Sequence, residues 1–181
     1  SGKLNTDERG RYLGEFDTGD LLVALYKDGS YEMLEMDQTR RFNPDELIHI
    51  GKFDPEMVVS AVHFDGHKGW TLVKRFHIET TSLDQRFSYL TDHKESRLLF
   101  ASVNPAPRIR YSVKVRNKKM GGEVGLAEFI DVKGWKAAGN KLSDQKLTEV
   151  VEIAPPEIPD KLHAGDSIEF DLDDGGQTKL F

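Results

Sequence analysis

Apolar and polar positions in this chain form short runs cut by polar turns, and helical spacing is nowhere sustained. Leu21, Val23, Leu25 and Tyr26 lead into Lys27-Asp28-Gly29-Ser30, and Tyr31 to Met36 return. Asp-Gly between two such runs is a strong β-hairpin signal. Val58 to Phe64 and Trp70 to Ile78 predict a second hairpin around Asp65-Gly66-His67-Lys68-Gly69. Arg108 to Arg116 and Val124 to Val132 predict a third, around a longer polar loop that holds Gly121-Gly122. Leu21 to Leu25 and Met57 to Val59 are almost continuously apolar, as strands covered on both faces require. Helix is confined to single turns, at Pro44 to Leu47 or Ser82 to Arg86.

The hairpins recur. Each is followed by a polar connector and a strand that ends in proline, and Pro55, Pro105 and Pro155 are evenly spaced. Leu13-Gly14-Glu15-Phe16-Asp17 returns as Ile50-Gly51-Lys52-Phe53-Asp54. Asp37-Gln38 before Arg40-Arg41-Phe42 returns as Asp84-Gln85-Arg86-Phe87. A period of about fifty residues built from strands fits a blade of about four strands. The fold expected is all-β, a propeller-like array of about three four-stranded blades over residues 1–153, too few to close a ring, so that either further blades precede it or the domain is an open arc with one exposed face. Pro-containing residues 154–159 then read as a linker. Asp166 to Leu172 alternates with period two and suits an edge strand, able to join the open edge of the last blade, inside an acidic tail that runs to 181.

The chain has 181 residues and no cysteine, so disulfides, a thiolate nucleophile and a cysteine zinc site are excluded. No apolar run is long enough to span a membrane, and the N-terminus lacks a signal peptide's pattern. The chain begins Ser1-Gly2-Lys3 without a methionine, as either a cloning scar or a fragment cut from a longer protein would. The net charge of −6 conceals an asymmetry. From Ala106 to Lys146 ten Lys/Arg stand against four Asp/Glu, whereas from Leu147 to Phe181 two stand against nine. A basic block followed by an acidic tail suggests a face for a polyanion with a competitor attached.

Three stretches together resemble one family: Lys3 to Asp20 (KLNTDERGRYLGEFDTGD), Val73 to Thr81 (VKRFHIETT) and Ala127 to Ser143 (AEFIDVKGWKAAGNKLS). They are similar to the C-terminal region of the A subunit of bacterial type II topoisomerases, topoisomerase IV and DNA gyrase. The resemblance implies a β-pinwheel whose blades exchange a strand with their neighbours and whose basic rim binds and bends duplex DNA for strand passage. It also implies a cytoplasmic, nucleoid-associated parent enzyme that joins the topoisomerase B subunit to a second A subunit and uses ATP and Mg²⁺ on other domains. The family's catalytic tyrosine lies in a separate domain, so no catalytic residue and no cofactor is expected on this piece. Acidic tails in the family are thought to compete with DNA for the rim. The Gln-Arg-Arg-Gly-Gly-Lys-Gly box of gyrase-type domains does not occur; its nearest fragments are Gln38 to Phe42 and Arg116 to Gly122. That departure favours a topoisomerase IV-like role, and the length holds only about three blades of the family's disc.

The candidate DNA-binding residues are Arg108, Arg110, Lys114, Arg116, Lys118, Lys119, Lys133, Lys136, Lys141 and Lys146. Arg108, Arg110, Lys114 and Arg116 fall on alternate positions of one strand and share a face, where a row of cations suits successive phosphates. The same row would also serve as a solvated face that keeps a sheet edge soluble. Arg40, Arg41, Lys74, Arg75 and Arg86 occupy similar places in the earlier repeats and form a weaker set. Trp70 and Trp135 are expected in the core between blades rather than stacked on bases. His63, His67 and His77 are expected on the surface, with no set of ligands for a metal. Asp65, Asp92 and Asp173-Asp174 lack a base or nucleophile beside them. The rival to DNA binding is a propeller-like protein-interaction module.

Overall fold

Strand-forming residues around three short turns generate three hairpins, and a computed structural model describes residues 2–3, 15–16, 19–36, 40–80 and 82–154. The two short strands β1 (Gly2–Lys3) and β2 (Glu15–Phe16) pair with each other. The first hairpin joins β3 (Leu21–Tyr26) to β4 (Ser30–Glu35), and β5 (Leu47–Lys52) follows a 3-10 turn at Pro44–Glu46. The second joins β6 (Val59–Asp65) to β7 (Trp70–Phe76), followed by β8 (Arg86–Ser88) and β9 (Arg97–Ser102). The third joins β10 (Arg108–Val115) to β11 (Lys118–Gly125), followed by a single helical turn α1 (Leu126–Phe129), β12 (Asn140–Ser143) and β13 (Glu149–Ile153).

Sheet order shows how the repeats interlock. The first blade is β5-β3-β4-β8, the second β9-β6-β7-β12 and the third β13-β10-β11. The fourth strand of the first blade thus comes from the connector of the second repeat, and that of the second blade from the connector of the third. The third blade has three strands among the described residues, one fewer than expected. Gly29 shows what the exchange demands locally. It has φ +88, and a Cβ there would lie 2.5 Å from the Leu90 side chain as the connector crosses the hairpin tip. Its carbonyl accepts the Tyr89 N–H at 2.9 Å.

The blades stack face to face. Val23, Leu25, Tyr31 and Met33 of the first pack on Val59, Ala61 and Phe76 of the second. Val62 and Val73, on the other face of the second blade, pack on Ile109, Val113, Leu126, Ile130 and Leu147. These strands are covered on both faces, which explains their near-continuous apolar runs. Trp135 packs in the first of these layers, edge-on to Tyr31 at 5.7 Å, as expected of a core tryptophan.

The third hairpin differs from its expected form. Its turn is the two residues Arg116-Asn117, with φ of 53° and 65°, the pattern of a type I′ turn. Gly121 and Gly122 are therefore strand residues of β11, not a loop, and residues 126–129 turn helically instead of extending. A Cβ on Gly121 would meet the Tyr111 carbonyl oxygen at 2.4 Å, and one on Gly122 the Tyr111 hydroxyl at 2.9 Å. The glycine pair makes room for Tyr111 across the ladder. No helix forms at residues 82–86, where Leu83 instead bridges Met33. Pro155 and the linker, edge strand and acidic tail read from the sequence lie outside the described residues.

Candidate nucleic-acid interface

Alternation on β10 divides its residues as expected. Ile109 and Val113 are buried against the second blade, while Arg110 and Lys114 are exposed on the outer face. Pairing register adds the residues opposite them. Arg108 faces Gly125, Arg110 faces Glu123, Ser112 faces Gly121 and Lys114 faces Lys119. The row is not uniformly free. Arg110 donates through Nη2 and Nε to Glu123 Oε2 at 2.8 and 3.0 Å, and Arg108 lies 3.6 Å from the Glu128 carboxylate. Lys114 and Lys119 stand directly opposite one another without an ion pair among the described residues. Like charges in that relation destabilise a sheet unless an anion joins them. Arg116, Lys118 and Asn117 complete the hairpin tip beside that pair, all exposed. Arg116 holds a positive φ that Asn or Gly adopts at less cost.

A second group of cations gathers at the tip of the neighbouring hairpin. Lys68 Nζ and Lys141 Nζ lie 4.8 and 4.3 Å from the centroid of the Trp70 ring, and Lys146 Nζ lies 5.4 Å from that of Phe64. Cations held on aromatic faces keep their charge at the surface while their stems are packed. The segment that carries Lys146 runs from one tip to the other. Gln145 accepts from the Thr71 hydroxyl at 2.7 Å, and the Thr148 N–H donates to the Ser112 carbonyl at 2.8 Å. Lys68, Lys141 and Lys146 thus continue into Lys114, Arg116, Lys118 and Lys119 along the same end of the second and third blades. Lys68 was not among the expected residues. Its signal was its place in the repeated hairpin tip. Trp70 is half-buried between two lysines instead of packed in a core layer.

Other expected cations lie elsewhere. Lys133 docks its N–H on the Arg75 carbonyl, at the end of β7 away from the tip, and Lys136 sits by Trp135, its Nζ 5.5 Å from the ring. Arg40 lies 3.3 Å from Glu32 and 3.7 Å from Asp84, and Arg86 covers the Tyr26 ring at 3.6 Å beside Asp28. Arg41 is exposed.

Lys74 and Arg75 are not surface residues at all. Both are buried, and carbonyls of the connectors hold them. Lys74 Nζ donates to Tyr89 and Trp135 oxygens at 2.8 and 2.6 Å, and burial lowers its pKa to about 8. Arg75 donates to Ser60 Oγ, the Ile130 oxygen and the Pro105 oxygen at 3.2, 3.0 and 3.1 Å. Charge pattern alone assigns them to a rim, whereas connectors distant in sequence take them out of solvent and use them as rivets.

His63, His67 and His77 do not converge on one another. His63 is fully buried, not on the surface, with Nε2 at 2.8 Å from the Ala138 oxygen, and burial lowers its pKa. His67 and His77 engage the Asp92 and Met57 carbonyls. No group of metal-ligating residues occurs among the described residues. Likewise, no helix among them is long and apolar enough to cross a membrane.

A family model described as the topoisomerase C-terminal domain of Bacteroidota matches residues 3–154. No curated protein and no solved structure matches the chain.

Proposed function

Because the chain belongs to the topoisomerase C-terminal domain family of Bacteroidota, we propose that its hairpin tips form a phosphate-binding strip that holds duplex DNA for a type II topoisomerase. The observation that carries this reading is the opposed, unpaired Lys114 and Lys119 at the head of a continuous basic strip. Such a strip neutralises successive phosphates and releases counterions, and it needs no base contacts. The working strip is Lys68, Lys114, Arg116, Lys118, Lys119, Lys141 and Lys146. Arg108 and Arg110 contribute less, because each already has a carboxylate. The parent enzyme in this reading is an A subunit of the topoisomerase IV kind. It works in the cytoplasm with the topoisomerase B subunit and a second A subunit, and ATP and Mg²⁺ are used on other domains. The accessory domain cleaves nothing itself.

Titrating a duplex of about forty base pairs at several salt concentrations tests the reading, because affinity falls steeply with salt when phosphate contacts dominate. Lys114→Glu with Lys119→Glu is expected to weaken binding at least about tenfold at low salt and to flatten the salt slope by about two. Lys133→Glu should change affinity by less than about threefold, since it lies away from the strip. Salt-insensitive binding, or none, would overturn the proposal and favour a protein partner.

A further inference from the structure

Of the three hairpin turns only the second carries a histidine. Residues 91–96, in the connector after β8, clamp that turn from outside the hairpin. Asp65 Oδ1 accepts the His67 N–H at 2.9 Å and the Thr91 hydroxyl at 3.0 Å, while Ser96 Oγ accepts the Gly66 N–H at 3.0 Å. Gly66 permits the close approach, because a Cβ there would collide with His93 Nδ1. The rings of His67 and His93 meet in a T-shaped contact, with centroids 4.7 Å apart. Their hydrogen bonds assign the tautomers. His67 Nε2 lies 2.8 Å from the Asp92 carbonyl oxygen, which only accepts, so Nε2 carries the hydrogen and Nδ1 the lone pair. His93 Nδ1 accepts the Glu95 N–H at 3.0 Å, so its lone pair is already used. A proton on His67 therefore costs no hydrogen bond, whereas a proton on His93 Nδ1 would set two N–H groups against each other. A shared metal ion does not suit the two rings, because binding through His93 Nε2 would force a hydrogen onto that same Nδ1.

The same connector brings cations to this end of the blade. Arg97 stands opposite Phe64, the ring that Lys146 covers, and its Nη1 donates to the Lys94 and Ser96 carbonyls at 2.7 and 2.8 Å. Lys68, Lys94 and Arg97 are exposed, with no carboxylate partner among the described residues. The acidic groups facing them are Asp92 and Glu95, exposed on the connector, and Asp65, buried beneath the turn. Three exposed cations against two exposed carboxylates leave a balance of +1, which one proton on His67 doubles to +2. We propose that the basic strip continues past Lys68 through His67, Lys94 and Arg97, and that protonated His67 is a phosphate contact there, which couples DNA binding to proton uptake. This rests on the reading of the hairpin tips as a phosphate-binding strip. Histidine is the side chain that ordinarily changes charge between about pH 5 and 8. With Nε2 held by the Asp92 carbonyl, the exposed ring has Nδ1–H left to donate a charge-assisted bond to a phosphate oxygen. A phosphate seated among these cations favours the proton by as much as the proton favours the phosphate.

Two measurements on the full chain decide it. In the free protein the imidazole nitrogen resonances are followed on acidification. His67 is expected to gain a hydrogen at Nδ1 while His93 keeps its Nδ1 lone pair. Protonation of His93 before His67, or a His67 still neutral at about pH 5, overturns the inference. Affinity for a duplex of about forty base pairs is then compared at about pH 6 and about pH 8, over a range of salt. Two variants keep the clamp: His67→Gln retains a donor for the Asp92 carbonyl, and His93→Asn retains an acceptor for the Glu95 N–H. On acidification the wild type and His93→Asn should gain at least about threefold more affinity than His67→Gln, with a salt slope steeper by about one. Equal gains in the wild type and His67→Gln overturn this inference and leave the phosphate strip standing. Lys94→Glu with Arg97→Glu should weaken binding at least about fivefold at low salt, and an unchanged affinity ends the strip at Lys68. Salt-insensitive binding, or none, at both pH values is a different result: it removes the strip itself, and this contact with it.

Discussion

The second and third blades carry the same cross-strand pairs at the same distance from the hairpin tip and fill them with opposite chemistry. In the second blade Ser60↔Arg75, Val62↔Val73 and Phe64↔Thr71 face the next blade. In the third the equivalent pairs are Arg110↔Glu123, Ser112↔Gly121 and Lys114↔Lys119. A valine pair becomes serine and glycine, and a serine–arginine pair becomes an exposed arginine–glutamate pair. The backbone is conserved in register while the face changes from dry to wet. Repeat arrays need such a change where stacking stops, since an apolar outer face would aggregate. The outer face of the third blade is thus built for water or an ionic partner, and the same change leaves its tip lysines free to take an anion.

The sharpest way to break this comparison is to truncate the cation on the dry side. Arg75→Ala removes three hydrogen bonds, leaves the Ile130 and Pro105 carbonyls without their donor and opens a void between blades. Buried acceptors left unpaired are costly, and the variant is expected to lose about 3 kcal/mol in urea unfolding. A loss below about 1 kcal/mol would mean that water satisfies these carbonyls and that the interface is not dry.

Transplanting the wet residue into the dry layer gives the next largest effect. Val62→Ser puts the residue of the third blade at its equivalent place in the second, where Val62 is fully buried. Lost apolar burial and an unpartnered hydroxyl together should cost about 2 kcal/mol. An unchanged melting temperature would show that the layer tolerates polar atoms, and the contrast between the blades would lose its energetic basis.

Lys74 sharpens the contrast through pH. Burial lowers its pKa from 10.5 to about 8 in the folded state. Below about pH 8 both states hold the proton. Between there and 10.5 the unfolded chain binds more protons than the folded one, so stability rises with pH in that window. The gain over Lys74→Met from pH 7.5 to 9.5 is expected to be about 2 kcal/mol. Tyr31 and Tyr89, whose hydroxyls burial pushes up, act in the opposite sense above pH 10, which is why the difference between the two proteins is measured and not the wild type alone. A flat difference would place Lys74 in contact with water.

How far the sequence discloses all this depends on how local the deciding contacts are. The hairpins at Asp28-Gly29 and at Gly66 to Gly69 are legible because turn chemistry and flanking apolar runs lie within a few residues. Gly121-Gly122 misleads because glycine pairs usually mark turns, whereas here they clear space for Tyr111 on the opposite strand. The exchanged strands β8 and β12 are three and four residues long, and their partners lie in another repeat. Lys74 and Arg75 look like rim cations for the same reason, since Trp135 and Ile130, which bury them, belong to the third repeat. At the tip, by contrast, Lys114, Arg116, Lys118 and Lys119 are legible, because turn residues project into solvent whatever else the chain does.

The smallest expected effect is the control that the comparison requires. Arg110 occupies the place of Ser60, and its pair with Glu123 is close and doubly hydrogen-bonded, yet both side chains are largely exposed. Exposed pairs gain little because water screens them and two long side chains must be held still. Arg110→Ala is therefore expected to change stability by no more than about 0.5 kcal/mol, against about 3 kcal/mol for Arg75→Ala at the same pair position one blade earlier. Thermal and urea unfolding of the two variants side by side measures that ratio. If Arg110→Ala proves as damaging as Arg75→Ala, the outer face is covered by another part of the protein, and the third blade is not the wet end of the stack.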